Sequence, residues 1–226
     1  MSKLHTDREY ENELNDLRSR LAMMAYEVQK MIQYAVLSLQ KSDTKLAEEV
    51  ILKDHEVNRH EVEMDDLCLV ILARRQPLGA DLRFVTIALK MVTDLERIGD
   101  LAVSIANRTL KLQKMPAIQI PGNILEMTHG VELMLQLAIE SFLDADAVKA
   151  ESVLEKDDRI DELYHQLFRT LLKEMARNES LIEPLVHIQS VAKWLERIGD
   201  HCTNLAELVV FMVRGENIRH MNHAKT

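Results

Sequence analysis

Aromatic side chains are scarce in this chain: four Phe, four Tyr and a single Trp make up 4% of 226 residues. The core must therefore be aliphatic, and Leu, Ile, Val and twelve Met are there to fill it. Six glycines and four prolines leave few places where a helix would be interrupted. The two cysteines, Cys68 and Cys202, lie in apolar stretches without metal-type spacing. Their number excludes a disulfide framework and suits a reducing, cytoplasmic setting. Long apolar runs are missing too, since the longest, Leu67 to Ala73, is far too short to cross a bilayer. The segment from Met1 to Asn15 is charged and lacks the apolar centre of a signal peptide. Membrane association is therefore expected only through a partner. A basic face is absent as well. The net charge is −9, and Arg74 with Arg75 is the nearest approach to a basic cluster, which argues against nucleic acid as a partner. What remains abundant is Leu, Ala, Met, Glu and Lys, the composition of an all-α protein.

The chain repeats itself. Leu95-Glu96-Arg97-Ile98-Gly99-Asp100 recurs unchanged as Leu195-Glu196-Arg197-Ile198-Gly199-Asp200. Upstream, an offset of 103 aligns Met24 with Met127, Val28 with Val131, Met31 with Met134, Ala35 with Ala138 and Ser38 with Ser141. The same offset aligns Asp43 with Asp146 and Lys53-Asp54 with Lys156-Asp157. Three residues are then lost between the second and third elements of the second copy. The duplication predicts a tandem of two three-helix bundles. One unit is expected over 1–115 and the other over 122–215, with a tail at 216–226.

Helices are expected near 8–41, 44–75 and 81–113, then 123–144, 147–177 and 182–214. Asp43 and Asp146 are matching N-caps. Gln76-Pro77-Leu78-Gly79 breaks the first copy after its second helix, and Pro184 suits a first helical turn. Helices of about 30 residues span roughly 45 Å, so the bundles should be elongated and antiparallel. The third helix of each copy carries a heptad seam. It runs Phe84, Ala88, Met91, Leu95, Ile98, Ala102, Ile105 in the first copy. In the second it runs Ile188, Val191, Leu195, Ile198, Cys202, Leu205, Val209, Met212. Cys202 is thereby a core thiol.

With Leu95 at heptad position a, Glu96 and Asp100 fall away from the seam and share one helical face, as do Glu196 and Asp200. The second helices supply Asp54 with Asn58, and Asp157 with Asp161. If second and third helices are neighbours, each bundle gathers up to four oxygen ligands on its outer surface. Such a set suits iron, manganese, magnesium, calcium or zinc. Gly99 and Gly199 add to the case: a helical glycine costs about 1 kcal/mol relative to alanine, and its recurrence suggests that a neighbouring chain or ligand approaches closely. The competing reading makes this an ordinary solvated face, with Arg97 and Arg197 balancing the acids. Glu162 and His165 form one Glu-x-x-His unit, whereas a di-iron bundle needs two. A ferritin-like metal-binding or oxidase bundle is the alternative this leaves open. His55 and His201 each adjoin an acidic position. No phosphate-binding glycine loop or nucleophilic arrangement is present, so no catalytic residue is assigned and the chain is not expected to be an enzyme.

The paired blocks, together with Ile-Leu-Ala-Arg-Arg-Gln-Pro-Leu-Gly-Ala-Asp-Leu-Arg from Ile71 to Arg83, resemble the PhoU family over about residues 10 to 215. The resemblance implies two three-helix bundles, commonly as a homodimer, and negative regulation of the phosphate-starvation response. The implied partners are the ATPase of the phosphate ABC importer (PstB) and the sensor histidine kinase (PhoR). Some members carry iron or zinc clusters on Glu/Asp-x-x-x-Asp motifs. These map here onto Glu96/Asp100, Glu196/Asp200 and Asp157/Asp161; Asp54/Asn58 departs by its Asn, so the first bundle is expected to hold fewer charged ligands. Direct phosphate sensing through Arg83, Arg97 or Arg197 is a third possibility, since spacing does not separate a phosphate clamp from salt bridges.

Overall fold

A computed structural model describes residues 8–216. Among them are six helices, α1 (Arg8–Lys41), α2 (Thr44–Arg75), α3 (Ala80–Leu112), α4 (Gly122–Asp144), α5 (Ala147–Arg177) and α6 (Ile182–Arg214), and no strand. A single 3₁₀ turn, Glu179–Leu181, leads into α6. Each helix begins and ends within about one residue of its expected place. Residues 1–7 of the first expected unit, and the tail expected over 216–226 apart from Glu216, lie outside the described residues.

The expected caps form. The Leu46 amide donates to Asp43 Oδ1 at 3.1 Å, and the amides of Val148 and Lys149 donate to Asp146 Oδ1 at 2.9 and 3.0 Å. The turns before them are built alike. The Asp43 amide donates to the Ser38 carbonyl at 2.8 Å and the Asp146 amide to the Ser141 carbonyl at 2.9 Å. Both serines are fully buried and satisfy their hydroxyls on the carbonyls of Ala35 and Ala138, each at 2.7 Å. After α2 the backbone turns left-handed at Gln76 (φ 47°), whose amide still donates to the Leu72 carbonyl. Pro77 and Gly79 (φ 58°) then redirect the chain into α3. Pro184 is buried in the first turn of α6.

Helices α1, α2 and α3 all touch one another, and so do α4, α5 and α6. Residues 113–121 between the sets hold no helix. Every residue of both expected heptad seams is buried, Cys202 included. Burial raises the thiols of Cys68, to about 12, and Cys202, so both are inert.

The halves are not independent bodies. α3 packs on α6 and α1 on α4, while α2 and α5 contact only their own set. The apolar cluster runs without a break through both sets. One cross-contact joins equivalent positions. Gln29 Nε2 donates to the carbonyl of Glu132, its own counterpart by the repeat offset. His201 Nδ1 donates to Asp94 Oδ1 at 2.8 Å. Phe84 of α3 stacks on Phe142 of α4 with ring centroids 5.3 Å apart. The two copies are thus related by a pseudo-two-fold axis through α1/α4 and α3/α6.

Candidate functional site

The repeated block places its acids where α3 meets α2 and where α6 meets α5. In the second set Gly199 is buried against α5, so close that a Cβ there would lie 2.9 Å from Asp157 Oδ1. The missing side chain is what seats this carboxylate against α6. Asp157, Asp161, Glu196 and Asp200 then share one electrostatic neighbourhood. Burial first, then Asp161, Asp200, Asp158 and Glu196, push Asp157 from its ordinary 3.8 to about 7. Asp200 is raised by burial and then by Glu196 and Asp161, and Asp161 is raised by burial and then by Glu196. Lys193 donates to Glu196 Oε1 at 2.6 Å, while the buried Glu196 Oε2 has no hydrogen-bond partner among the described residues.

The first set is built differently on the same plan. A Cβ at Gly99 would meet Val57 at 3.5 Å, an ordinary contact. The glycine recurs, but the close approach it suggested exists only at Gly199. Asp54 Oδ2 accepts from Asn58 Nδ2 at 3.0 Å, and Asp54 Oδ1 and Asn58 Oδ1 are buried without a hydrogen-bond partner among the described residues. Asp54 is raised by burial and then by Asp100, and Glu96 by burial and then by Asp100, with Glu61 and Asp54 adding to it. Glu61 was missing from the sequence reading. Its own carboxyl is raised by burial, then by Asp65, with Asp100 contributing. It lies one turn beyond Asn58, on the stripe Asp54, Asn58, Glu61, and restores to this face the carboxylate that Asn58 lacks. The spacing signal was present, but the pairwise motif concealed it.

Two further readings change in detail. Glu96 and Glu196 are not outward-facing: each side chain is only 15% exposed, against 45% for Asp100. Arg97 does sit beside its acids, 3.6 Å from both Glu96 and Asp100. Arg197 makes no such pair among the described residues, and Lys193 takes that role. Arg97, Arg197, Asp100 and Asp200 instead line one open groove of about 510 Å³ along the α3–α6 seam. Arg83 is committed elsewhere, its Nε donating to the Met212 carbonyl near the end of α6. Glu162 is exposed, pairs with Arg159, and stands with exposed His165 on the outside of α5. His201 is occupied by Asp94, and His55 is exposed.

Oxygen donors, raised carboxyls and unpartnered buried oxygens suit a hard or borderline cation. As the side chains stand, no three His, Cys, Asp or Glu among the described residues close around a common point.

The PhoU domain model matches residues 21–109 and again 124–209, one match per repeat. The chain belongs to the PhoU family. A phosphate-specific transport system accessory protein PhoU homolog from Pseudomonas aeruginosa is 38% identical, over 96% of this chain and 90% of its own. One from Aquifex aeolicus is 37% identical, over 93% and 95%. The crystal structure of PhoU from Pseudomonas aeruginosa superposes with a TM-score of 0.88 at 37% identity, covering 92% of this chain and all of that one. The phosphate transport system regulatory protein PhoU from Streptococcus pneumoniae gives 0.85 at 30% identity, covering 92% and 99%. Among the described residues of this PhoU-family chain, no helix is long and apolar enough to cross a membrane.

The glycine contrast predicts opposite responses. Gly99→Ala should stabilise the protein by about 0.5–1 kcal/mol, because it gains helix propensity at no steric cost. Gly199→Ala should yield none of this gain, because its methyl displaces Asp157. Urea unfolding of the two variants measures both.

Asp157 predicts an unusual pH dependence. Its folded pKa of about 7 lies above the ordinary 3.8, so between these values the folded state keeps a proton that the unfolded chain has released. Stability is therefore full below about pH 4, falls as pH rises through about 7, and then levels off. Asp157→Asn should flatten that decline and exceed the parent by about 2 kcal/mol at pH 8, allowing for solvent screening. Thermal unfolding between pH 4 and 8 checks it.

Proposed function

We propose that this chain is a negative regulator of the phosphate-starvation response and a modulator of high-affinity phosphate uptake, acting in the cytoplasm through binding rather than turnover. The observation that carries this reading is family membership over nearly the whole chain, in both repeats, with relatives named as accessory and regulatory proteins of phosphate transport. Its partners in this reading are PstB and PhoR, with a second copy of the chain forming a homodimer.

The outer helices support an adaptor. Because α2 and α5 contact only their own sets, each leaves a long face to solvent. Leu69 and Leu172 occupy equivalent positions and are 58% and 48% exposed. Around them the faces differ: Val62 stands exposed on α2 where α5 has His165, and Phe168 on α5 where α2 has Asp65. Two surfaces of one plan and unlike chemistry suit two different partners. Deleting the gene should leave a phosphatase reporter of phosphate starvation switched on in phosphate-rich medium, and the Arg97→Ala/Arg197→Ala double variant should restore repression only in part while keeping its circular dichroism. Normal repression in the deletion strain would defeat the regulatory reading.

Cation binding is part of the proposal. Asp157, Asp161, Glu196 and Asp200 would hold iron, zinc, manganese or magnesium, whose charge offsets their mutual repulsion and ties α5 to α6. Asp54, Glu96, Asp100 and the newly found Glu61 would form the weaker set, since no carboxylate there is seated as Asp157 is against Gly199. In calorimetric titration with Mn²⁺, Asp157→Asn should lose about tenfold or more in affinity, and Asp54→Asn distinctly less. Equal losses would refute the ranking.

A further inference from the structure

The contact between His201 and Asp94 sets the register of the antiparallel α3–α6 seam. One heptad along, Leu101 and Trp194 line the same groove. A further heptad along, Arg108 lies close enough to His187 to depress its pKa. One heptad in the other direction, the register places Ile87 opposite Leu208. By the repeat, Ile87 is the counterpart of His187 and Leu208 that of Arg108. The two ends of one pseudo-symmetric seam thus differ completely. Ile87 and Leu208 are buried and apolar, at 1% and 2% exposure, so packing at this position does not require polar groups. The other end has Arg108 and His187, with Lys111 where the counterpart is Phe211.

Among the described residues these groups find no hydrogen-bonding or ion-pair partner. Arg108 Nε and His187 Nδ1 are buried and make no hydrogen bond. The Arg108 guanidinium lies over the Trp194 ring, 4.8 Å from its centroid. Lys111 and Lys114 line an open groove of about 410 Å³ with Asn107, Met115 and Glu183. Arg108, Lys111 and Lys114 make no ion pair among the described residues, although the chain carries a net charge of −9. His187 is held below the usual histidine value by burial, then by Arg108 and Lys111, with Glu183 alone opposing. At His187 the charges of Arg108 and Lys111 outweigh that of Glu183, so a planar fork, a flexible ammonium and an imidazole share one positive neighbourhood beside this groove.

We propose that this end of the α3–α6 seam binds a small phosphate-type oxyanion, either free inorganic phosphate or the phosphate of a monoester, held by Arg108, Lys111 and His187. The inference is independent of the adaptor reading, since it rests on the seam alone. Trp194, the single tryptophan of the chain, lies under Arg108 and reports on it. The full chain is titrated with inorganic phosphate and with AMP at constant ionic strength set by chloride, following Trp194 emission and, in parallel, calorimetric heat. Saturable binding is expected, stronger for phosphate if the free ion is the ligand and stronger for AMP if the ester is. Arg108→Leu and His187→Ile each take the residue that the other repeat uses at that place, so the seam still packs, as circular dichroism will verify. Each should weaken binding about tenfold, whereas Lys90→Gln, an exposed charge on α3 away from the groove, should leave it unchanged. No saturable signal from either ligand, or affinities unmoved by both substitutions, would overturn the proposal.

Discussion

α3 packs against α6 near the centre of a pseudo-two-fold arrangement, where His201 donates to Asp94, and the rest of the molecule is organised around that helix contact. It buries a third side of each third helix, which is already enclosed by its own first and second helices. The apolar clusters of the two repeats then merge into one. It also fixes which surfaces remain free: α2 and α5 are left on the outside, and the acidic clusters lie at their borders with α3 and α6. A duplicated chain without this seam would be two bundles on a linker. With it, the grooves between the repeats acquire walls from both.

Identical motifs have become unlike sites because their neighbours differ. The two six-residue blocks share every atom type, yet only Gly199 has a carboxylate pressed against it. The reason lies on the partner helix, where Asp157 tucks toward α6, while in the first set Val57 is the nearest neighbour of Gly99. Desolvation follows depth, and like charges held in a partly dry place raise one another's pKa. The second set therefore raises Asp157 furthest, with Asp161 and Asp200 raised beside it, and the first raises Asp54, Glu61 and Glu96. The cations diverge likewise: Arg97 bridges its own acids, whereas Lys193, standing where the first copy has Thr93, engages Glu196.

The same divergence marks the seam. Pairs that are equivalent by the repeat are an apolar contact at one end and a cationic one at the other. Duplication supplies an internal comparison, because it shows how each position packs in a second setting of the same fold. Ile87 and Leu208 show that this place in the seam packs with apolar side chains alone.

Six helices, their caps and their boundaries followed from the sequence by itself, because these depend on local chemistry: Asp43 and Asp146 accepting amides, Gln76-Pro77 ending α2, and heptads that bury one stripe. The pairing of Asp157/Asp161 with Glu196/Asp200 was legible on the one condition that second and third helices be neighbours, and α5 does pack on α6. The α3–α6 contact was not legible. Its row of Ile87, Asp94, Leu101 and Arg108 facing His187, Trp194, His201 and Leu208 mixes polar and apolar side chains, so it has no hydrophobic period to detect. The depth of Glu96 and Glu196, the need for Gly199 but not for Gly99, and the membership of Glu61 were likewise decided only by tertiary structure. Each depends on the distance between two helices, and that distance is set by side chains far apart in the chain.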